Sequence, residues 1–465
     1  MNIVMIYPCQ GNMVTFNYGA ASVIAMLKKS GHSVMLIMVR DHVKDRDIIR
    51  RIEDFKADVI GFSCMSNYWQ YVKDLSKKIK SRGRLKDIPI FVGGPHAIVC
   101  ASSIIESRDI EGFCIGEGEY AFPELVGKIE KGIDFRDTRN FYFNDANGVI
   151  RNEMRTLIDD LDELPFPDRE VFPEAAFTNY ANFTFSRGCP FSCSYCCNSA
   201  FHVIFKGKGR MIRHRSAENA IREIEAFLKN HKPRLLSFDD DCFNKNAAWF
   251  REFCSKYKER IGIPYTCNTR PELLDAQAAE ALKDSGCRKI NIGIESGDER
   301  LRRTVLNRNM KDEDIERAFR NAREAGLETM SFNMIGIPGD TRETIRKTME
   351  FNKKIRPTYS QVSVFYPYAG TPLGELCREK RYIENENSVF NFFRGSSVLR
   401  LPGLSKKEIE DLFIRFDIEV NHGGEDFARL YRKRKMRNAL LSVYGRMPSF
   451  LKNIMRLIKR RAVLN

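Results

Sequence analysis

Short apolar runs alternate with segments of helical spacing along most of this chain. Ile3–Tyr7 predicts a strand, Ala20–Ser30 a helix closed by Gly31, Val34–Val39 and Val59–Ser63 two further strands, and Tyr68–Lys80 a helix. Ile90–Gly93 is a strand running into Gly93-Gly94-Pro95-His96, and Phe113-Cys114-Ile115 runs into Gly116-Glu117-Gly118-Glu119, with a helix after Pro123. Brief apolar strands between helices predict a parallel, doubly wound, Rossmann-like sheet covered on both faces. In such sheets the ligand crevice lies outside the carboxyl ends of the strands. Ser63, Gly93–Pro95 and Gly116–Gly118 fall at those ends, although glycines there also serve simply as turn residues.

Phe141–Asn182 reads as a linker, with the proline cluster Leu164-Pro165-Phe166-Pro167 and a small hairpin at Phe141–Arg151. A second βα series follows. Its strands are expected at Ala181–Ser186, Arg234–Phe238, Pro264–Asn268, Lys289–Ile294, Glu328–Ile335 and Gln361–Phe365, with helices between them. Six units fall short of an eight-fold barrel, so an open (β/α)6 partial barrel is expected, with its site at the strand C-termini. The domain plan is therefore 1–135, a linker over 136–180, a barrel over 181–375, and a helical region over 376–465.

Composition is that of a globular protein, with 43% hydrophobic residues and 17 prolines in 465 residues. The 13 scattered cysteines argue for thiols in a reducing, cytoplasmic compartment rather than a disulfide framework. Met1–Pro8 reads as a strand and not as a signal peptide, and no apolar run is long enough to span a membrane. The net charge of +15 is concentrated: Arg429–Asn465 holds 12 Lys/Arg and no Asp/Glu, leaving about +3 on the rest. Leu451, Ile454, Met455, Ile458 and Ala462 fall on one face of a helix whose other face carries Lys452, Arg456, Lys459 and Arg460. That pattern suits either a helix packed on the body with its basic face in solvent or peripheral contact of residues 429–465 with the inner face of a membrane. Sparse aromatics make nucleic acid the poorer reading.

The densest chemistry lies just after the first strand of the second series. Cys189, Cys193 and Cys196 are spaced CxxxCxxC, bracketed by Gly188 and Pro190, with Tyr195 before the third. Three thiolates on a 4Fe-4S cube leave one iron without a protein ligand, unlike the usual four-cysteine set. Asp239-Asp240-Asp241, Arg270, Glu295-Ser296 and Tyr366-Pro367-Tyr368 each follow a strand of the series, as the cysteine loop follows the first, and the remaining strand ends in the turn at Gly336. Loops after strands are commonly polar, but five strands converging on the cysteine end point to one site.

These features resemble the radical S-adenosylmethionine (SAM) enzymes. The similar motifs are CxxxCxxC, Phe238-Asp239-Asp240, Gly293-Ile294-Glu295-Ser296-Gly297, Gly336-Ile337-Pro338-Gly339-Asp340-Thr341 and Tyr366–Leu373. The first domain resembles the cobalamin-binding domain that precedes the barrel in one large subgroup, and the likeness covers roughly residues 1–375. The resemblance implies that Cys189, Cys193 and Cys196 hold a 4Fe-4S cluster whose open iron chelates SAM. It implies SAM contacts from Tyr195, Asp239, Asp240, Arg270, Glu295, Ser296, Gly336 and Tyr368. Cobalamin contacts are expected from Ser63, Gly93, Gly94, Pro95, His96, Gly116, Glu117 and Gly118, and Cys197 is expected to be packing. The implied activity is cobalamin-dependent C-methylation of a small-molecule or lipid-like substrate, with electrons from a flavodoxin or ferredoxin. A cyclase, oxidase or rearrangement enzyme with the same domain order is the alternative.

Where histidine-ligated cobalamin domains carry D-x-H-x-x-G, this chain has Cys9-Gln10-Gly11-Asn12, so cobalamin is expected without a protein histidine on cobalt. A rival reading as a tRNA methylthiotransferase needs a second cluster on Cys9, Cys64 and Cys100. Against it, residues after 375 read as helical rather than as an RNA-binding barrel, and the cysteines suit small buried apolar residues. A non-enzymatic cofactor sensor would have no need of Asp239, Arg270 and Glu295.

Overall fold

The computed structural model describes residues 1–9, 16–40, 43–104, 107–145, 148–384, 395–423 and 426–446, without the side chains of 103–104 and 437–446. The expected amphipathic helix beyond Pro448 lies outside the described residues.

The first sheet contains β1 (Asn2–Pro8), β2 (Ser33–Val39), β3 (Val59–Ser63), β4 (Ile90–Gly93), β5 (Gly112–Cys114), β6 (Phe141–Asp145) and β7 (Gly148–Arg151), in the order β2-β1-β3-β4-β5-β6-β7. β1 to β5 are parallel, and their residues are almost wholly apolar because both faces are covered. On one face, Ile48, Ile49 and Ile52 of helix Asp45–Asp54 pack with Val72, Leu75 and Ile79 of helix Trp69–Lys80. On the other lie Ala21, Ile24 and Leu27 of helix Tyr18–Lys29 and Phe122 and Leu125 of helix Gly118–Glu130. Pro123 sits inside that last helix rather than before it. As the sixth helical residue it removes the hydrogen bond that would otherwise run to Glu119 O. The hairpin expected in the linker belongs to this sheet: β6 pairs antiparallel with β5 and extends its edge.

The second sheet runs β15-β14-β13-β12-β11-β8 and is parallel throughout. Its members are β8 (Tyr180–Phe183), β11 (Leu235–Phe238), β12 (Tyr265–Thr269), β13 (Cys287–Glu295), β14 (Glu328–Ile335) and β15 (Tyr359–Val364). It is the expected six-stranded open barrel. The strand expected at Ala181–Ser186 divides. Beyond Phe183 the chain leaves the ladder, and Ser186–Arg187 (β9) pairs antiparallel with Arg213–His214 (β10). The departure has a visible cause, since Asp240 accepts the N–H of Phe185 (3.2 Å) and the hydroxyl of Ser186 in place of a strand partner.

The two sheets share one core. Phe172, Ala176 and Phe177 of the linker segment join the apolar cluster that includes Met5 and Phe16 on one side and Phe183, Phe227 and Phe238 on the other. Arg169 fills its centre, its guanidinium 4.2 Å from the Phe16 ring and 4.1 Å from Phe183, paired with Glu223 at 3.2 Å. Cation–π contacts with two domains at once make the linker a wedge, not a tether. After β15, helix Lys406–Asn421 packs on β15 and on helix Arg342–Ile355, and helix Phe427–Arg446 packs on it in turn. Among the described residues no helix is long and apolar enough to cross a membrane.

Candidate active site

The cysteine loop spans β9 and helix Cys197–Ile204 and is pinned along its length. The N–H of Cys196 reaches Cys193 O (3.0 Å) to close a turn, and the N–H of Ser194 reaches Leu306 O (3.1 Å). Asn307 Nδ2 donates to Ser192 O (2.8 Å), the N–H of Leu373 donates to Ser194 O (2.9 Å), and His202 Nε2 lies 2.7 Å from Cys189 O. Gly188 enters the loop at φ +77°, and an ideal Cβ there would stand 2.2 Å from Met211 O, so only glycine fits.

Cys189 and Cys193 are buried and Cys196 half-buried. Two guanidinium groups face Cys193: Arg270 Nη1 at 3.4 Å from its sulfur and Arg308 Nη1 at 3.6 Å. Arg270 is itself stacked 3.6 Å from the Phe191 ring and paired with Glu272. Arg308 also donates to Tyr195 Oη (3.0 Å) and Gly293 O (2.5 Å), and lies 4.0 Å from Glu295. Cys196 caps the helix N-terminus, where the Cys197 thiol, the Asn198 N–H and Asn198 Nδ2 (3.6 Å) all favour its thiolate. Its pKa falls below the ordinary thiol value, with the hydrogen bond from Cys197 the chief cause. The same hydrogen bond, and then burial, push the Cys197 thiol up, as befits a neutral neighbour and not a ligand. Among the described residues no three acidic, histidine or cysteine side chains already form the shell of a single metal ion. A four-iron cube takes each thiolate on a different iron, so its ligands need not converge on a single ion.

The expected SAM contacts separate on the fold. Tyr195, Arg270 and Glu295 gather at Cys193. Glu295 stands at φ +69° where β13 bulges against β14, and burial raises its pKa while Arg308 and Tyr195 pull it back. Asp239 faces the domain interface and accepts from Ser237 Oγ (2.6 Å), Asn182 Nδ2 (2.6 Å) and Tyr18 Oη (3.2 Å). Asp240 turns its carboxylate to the root of the cysteine loop, accepting from the Phe185 N–H and the Ser186 hydroxyl, and burial raises it to about 6. Ser296 is buried, with its hydroxyl accepting the Asp298 N–H (3.2 Å). Gly336, at φ +73°, packs on Ile409 of the C-terminal helix and so shapes a turn. Tyr368 meets Tyr366 edge-on at 5.0 Å. Arg308 was not foreseen; its only sequence signal is the polar turn Asn307-Arg308-Asn309 between two helices.

A cavity of about 610 Å³ lies between the two sheets. It opens at the carboxyl ends of β1 and β3, where the strand order reverses. Ser63, Gly93, Gly94, Pro95, Gly116, Glu117 and Gly118 line one wall, while Arg187, Gly188, Cys197, Asn198 and Asp239 line the other. Gly94 takes φ +94° with its Cα against Cys64; a Cβ would meet Cys64 O at 2.8 Å. His96 is not among the residues lining the cavity. It is buried, stacked 4.8 Å from Trp69 with Nδ1 3.0 Å from Ser66 Oγ, and burial lowers it to about 4. Cys9, Cys64 and Cys100 are buried too; the Cys9 thiol reaches Val39 O (3.4 Å), and burial raises Cys64 and Cys100.

Comparison with known proteins agrees with this geometry. A model of the Radical SAM superfamily matches residues 183–351, and a model of the B12 binding domain matches residues 12–126. The chain is 28% identical over 360 residues to an uncharacterized methyltransferase of Pyrococcus horikoshii, covering 76% of each. It is 21% identical to cytidylyl-2-hydroxyethylphosphonate methyltransferase of Streptomyces wedmorensis, covering 91% of this chain and 89% of that one. Among solved structures, the radical S-adenosylmethionine methyltransferase TsrM from Kitasatospora setae, with cobalamin and a 4Fe-4S cluster bound, has the same fold. The TM-score is 0.67 at 18% identity, over 82% of this chain and 75% of that one.

Proposed function

We propose that this chain, whose residues 183–351 match the Radical SAM superfamily and residues 12–126 the B12 binding domain, is a cobalamin-dependent C-methyltransferase acting on an unactivated carbon. One observation carries the reading: the glycine-lined cavity and the cysteine loop adjoin, with Gly188 and Cys197 lining the cavity while Arg270 and Arg308 of the barrel reach Cys193 of the same loop. The names of the two relatives and of the structural neighbour support methylation.

The residues fit the groups such an enzyme uses. Cys189, Cys193 and Cys196 would hold the cluster, and Arg270 and Arg308 offset the charge of its thiolates. Ser63, Gly93, Gly94, Pro95 and Gly116–Gly118 would hold cobalamin, whose flat ring suits a wall with few side chains. When bound, the cluster with SAM supplies a 5′-deoxyadenosyl radical on one-electron reduction, and cobalamin supplies the transferred methyl group. The chain's own work is positional. Tyr195, Arg270 and Glu295 cluster around Cys193 and Arg308 and would offer polar partners to the amino-acid and ribose groups of SAM. The shared apolar core keeps bulk water from the contact between the domains. A flavodoxin- or ferredoxin-type reductant supplies the electron.

The test is anaerobic reconstitution with iron, sulfide and hydroxocobalamin, followed by an assay for 5′-deoxyadenosine and methionine after reduction. Cleavage of SAM with cobalamin retained on the chain is expected. A cluster-loaded, reduced protein that leaves SAM intact would overturn the enzyme reading.

A further inference from the structure

We propose that Glu117, Glu119, Arg187 and Arg213 form an interdomain clamp that couples occupancy of the cavity to the order of the cysteine loop. The inference rests on the reading above, in which the cavity takes cobalamin and the loop a cluster.

Glu117 and Glu119 follow β5 in a glycine turn of the kind expected to touch a ligand. Both carboxylates instead engage Arg187, which stands two residues before Cys189 in the other domain. Arg187 Nη1 donates to Glu117 Oε1 at 2.6 Å and Nη2 donates to Glu119. Arg213, paired with Arg187 across β9 and β10, donates from Nη1 to Glu117 (3.0 Å) and to Ile158 O (2.6 Å). The N–H of Ile158 completes the set on Glu117 Oε2 (2.7 Å). Glu119 is 4% exposed and Arg213 5%, so this is not a solvent-screened surface pair. Burial alone would raise Glu117, but Arg187 and Arg213 outweigh it and hold the carboxylate below its ordinary value.

The bridge has no slack toward the cysteines. Gly188 abuts Met211 O, and Lys245 Nζ ties Gly188 O (2.6 Å) to Ser186 Oγ (2.8 Å). A shift of Arg187 therefore moves Cys189. Residues 116–119 and 186–188 also line the cavity from opposite sides, so a ligand there touches the two segments that the bridge joins. A bridge that presets their separation favours the ligand, and the ligand favours the bridge, because linkage is reciprocal.

The test compares Glu119→Gln, Arg187→Met and the double variant with the wild-type chain. Hydrogen exchange of peptides covering 186–197, in protein free of metal and cobalamin, reports the clamp alone. Both single variants should exchange faster there, with the double no worse than Arg187→Met. Hydroxocobalamin titration and the electron paramagnetic resonance spectrum of the reduced cluster report the coupling. Binding should weaken roughly ten-fold, and the change that hydroxocobalamin produces in the wild-type cluster spectrum should be lost. Unchanged exchange, or a cobalamin response that survives in the variants, overturns the clamp while the functional reading stands. A wild-type chain that loads a cluster but takes up no hydroxocobalamin overturns the cobalamin reading and the coupling with it.

Discussion

Replacing Arg308 by methionine should damage the barrel end before any cofactor is present. Arg308 is 5% exposed and its guanidinium lies 4.0 Å from the half-buried Glu295, with hydrogen bonds to Gly293 O at 2.5 Å and Tyr195 Oη at 3.0 Å. Methionine keeps most of the volume, so the loss is electrostatic rather than a cavity. Hydrogen bonds to a charged group contribute about 1.5–3 kcal/mol each, and breaking one partner of a buried pair costs about 3–5 kcal/mol. The larger part of that cost is the uncompensated Glu295 carboxylate. Arg308→Met/Glu295→Gln should therefore recover about half of the loss, because the glutamine brings no charge. Differential scanning calorimetry of metal-free protein reads this directly. For a barrel-sized unit, ~3–5 kcal/mol corresponds to a fall of roughly 6 °C or more. A single variant melting within about 2 °C of wild type, or a double variant melting below the single, would refute the reasoning.

Iron loading should be abolished by Cys189→Ala, Cys193→Ala or Cys196→Ala and retained by Cys197→Ala, as read from iron content and visible absorption after reconstitution. Gly188→Ala should fold yet load iron poorly, because φ +77° costs an alanine about 1–2 kcal/mol and its Cβ drives Met211 O aside. Normal iron content in that variant would show that the loop has room to give. Asp340, raised by burial to about 6 from an ordinary 3.8, gives a pH signature. The folded chain binds its proton more tightly, so the carboxylate's cost is fully present above pH 6 and is relieved as pH falls toward 4. The melting temperature of wild type relative to Asp340→Asn should thus rise between pH 7 and pH 5, by an amount equivalent to about 1–3 kcal/mol; a difference of the opposite slope would refute the assignment.

The strand ends were legible because a buried parallel strand must be apolar and must stop at a turn. Val59–Ser63, Ile90–Gly93 and Glu328–Ile335 follow from that rule to the residue. Helix Asp45–Asp54 escaped notice because its apolar face consists of only Ile48, Ile49 and Ile52 among seven charged residues. The cysteine ligand set was legible for a different reason, since three thiols within eight residues admit few other uses. Its partners were not. Arg308 reaches Cys193 across 115 positions of sequence, and nothing local distinguishes it from any other arginine in a polar turn.

The same limit explains why motif residues were given the wrong neighbours. Asp240 and Asp239 are adjacent in the chain, so a sequence reading assigns them one role. A strand end sends successive side chains to opposite sides, and here one side is the domain interface and the other the root of the cysteine loop. Asp239 meets Tyr18 of the first domain, and Asp240 meets Ser186. Glu117 and Glu119 show the converse: one is the N-cap and the other the second residue of helix Gly118–Glu130, so no strand alternation relates them, yet Arg187 gathers both. Local geometry limits which polar residues a motif can bring together, but only the packing of one domain on the other decides what they meet. The contact between the domains is therefore where substitutions that leave every cysteine and every glycine turn intact should still separate cobalamin binding from cluster assembly.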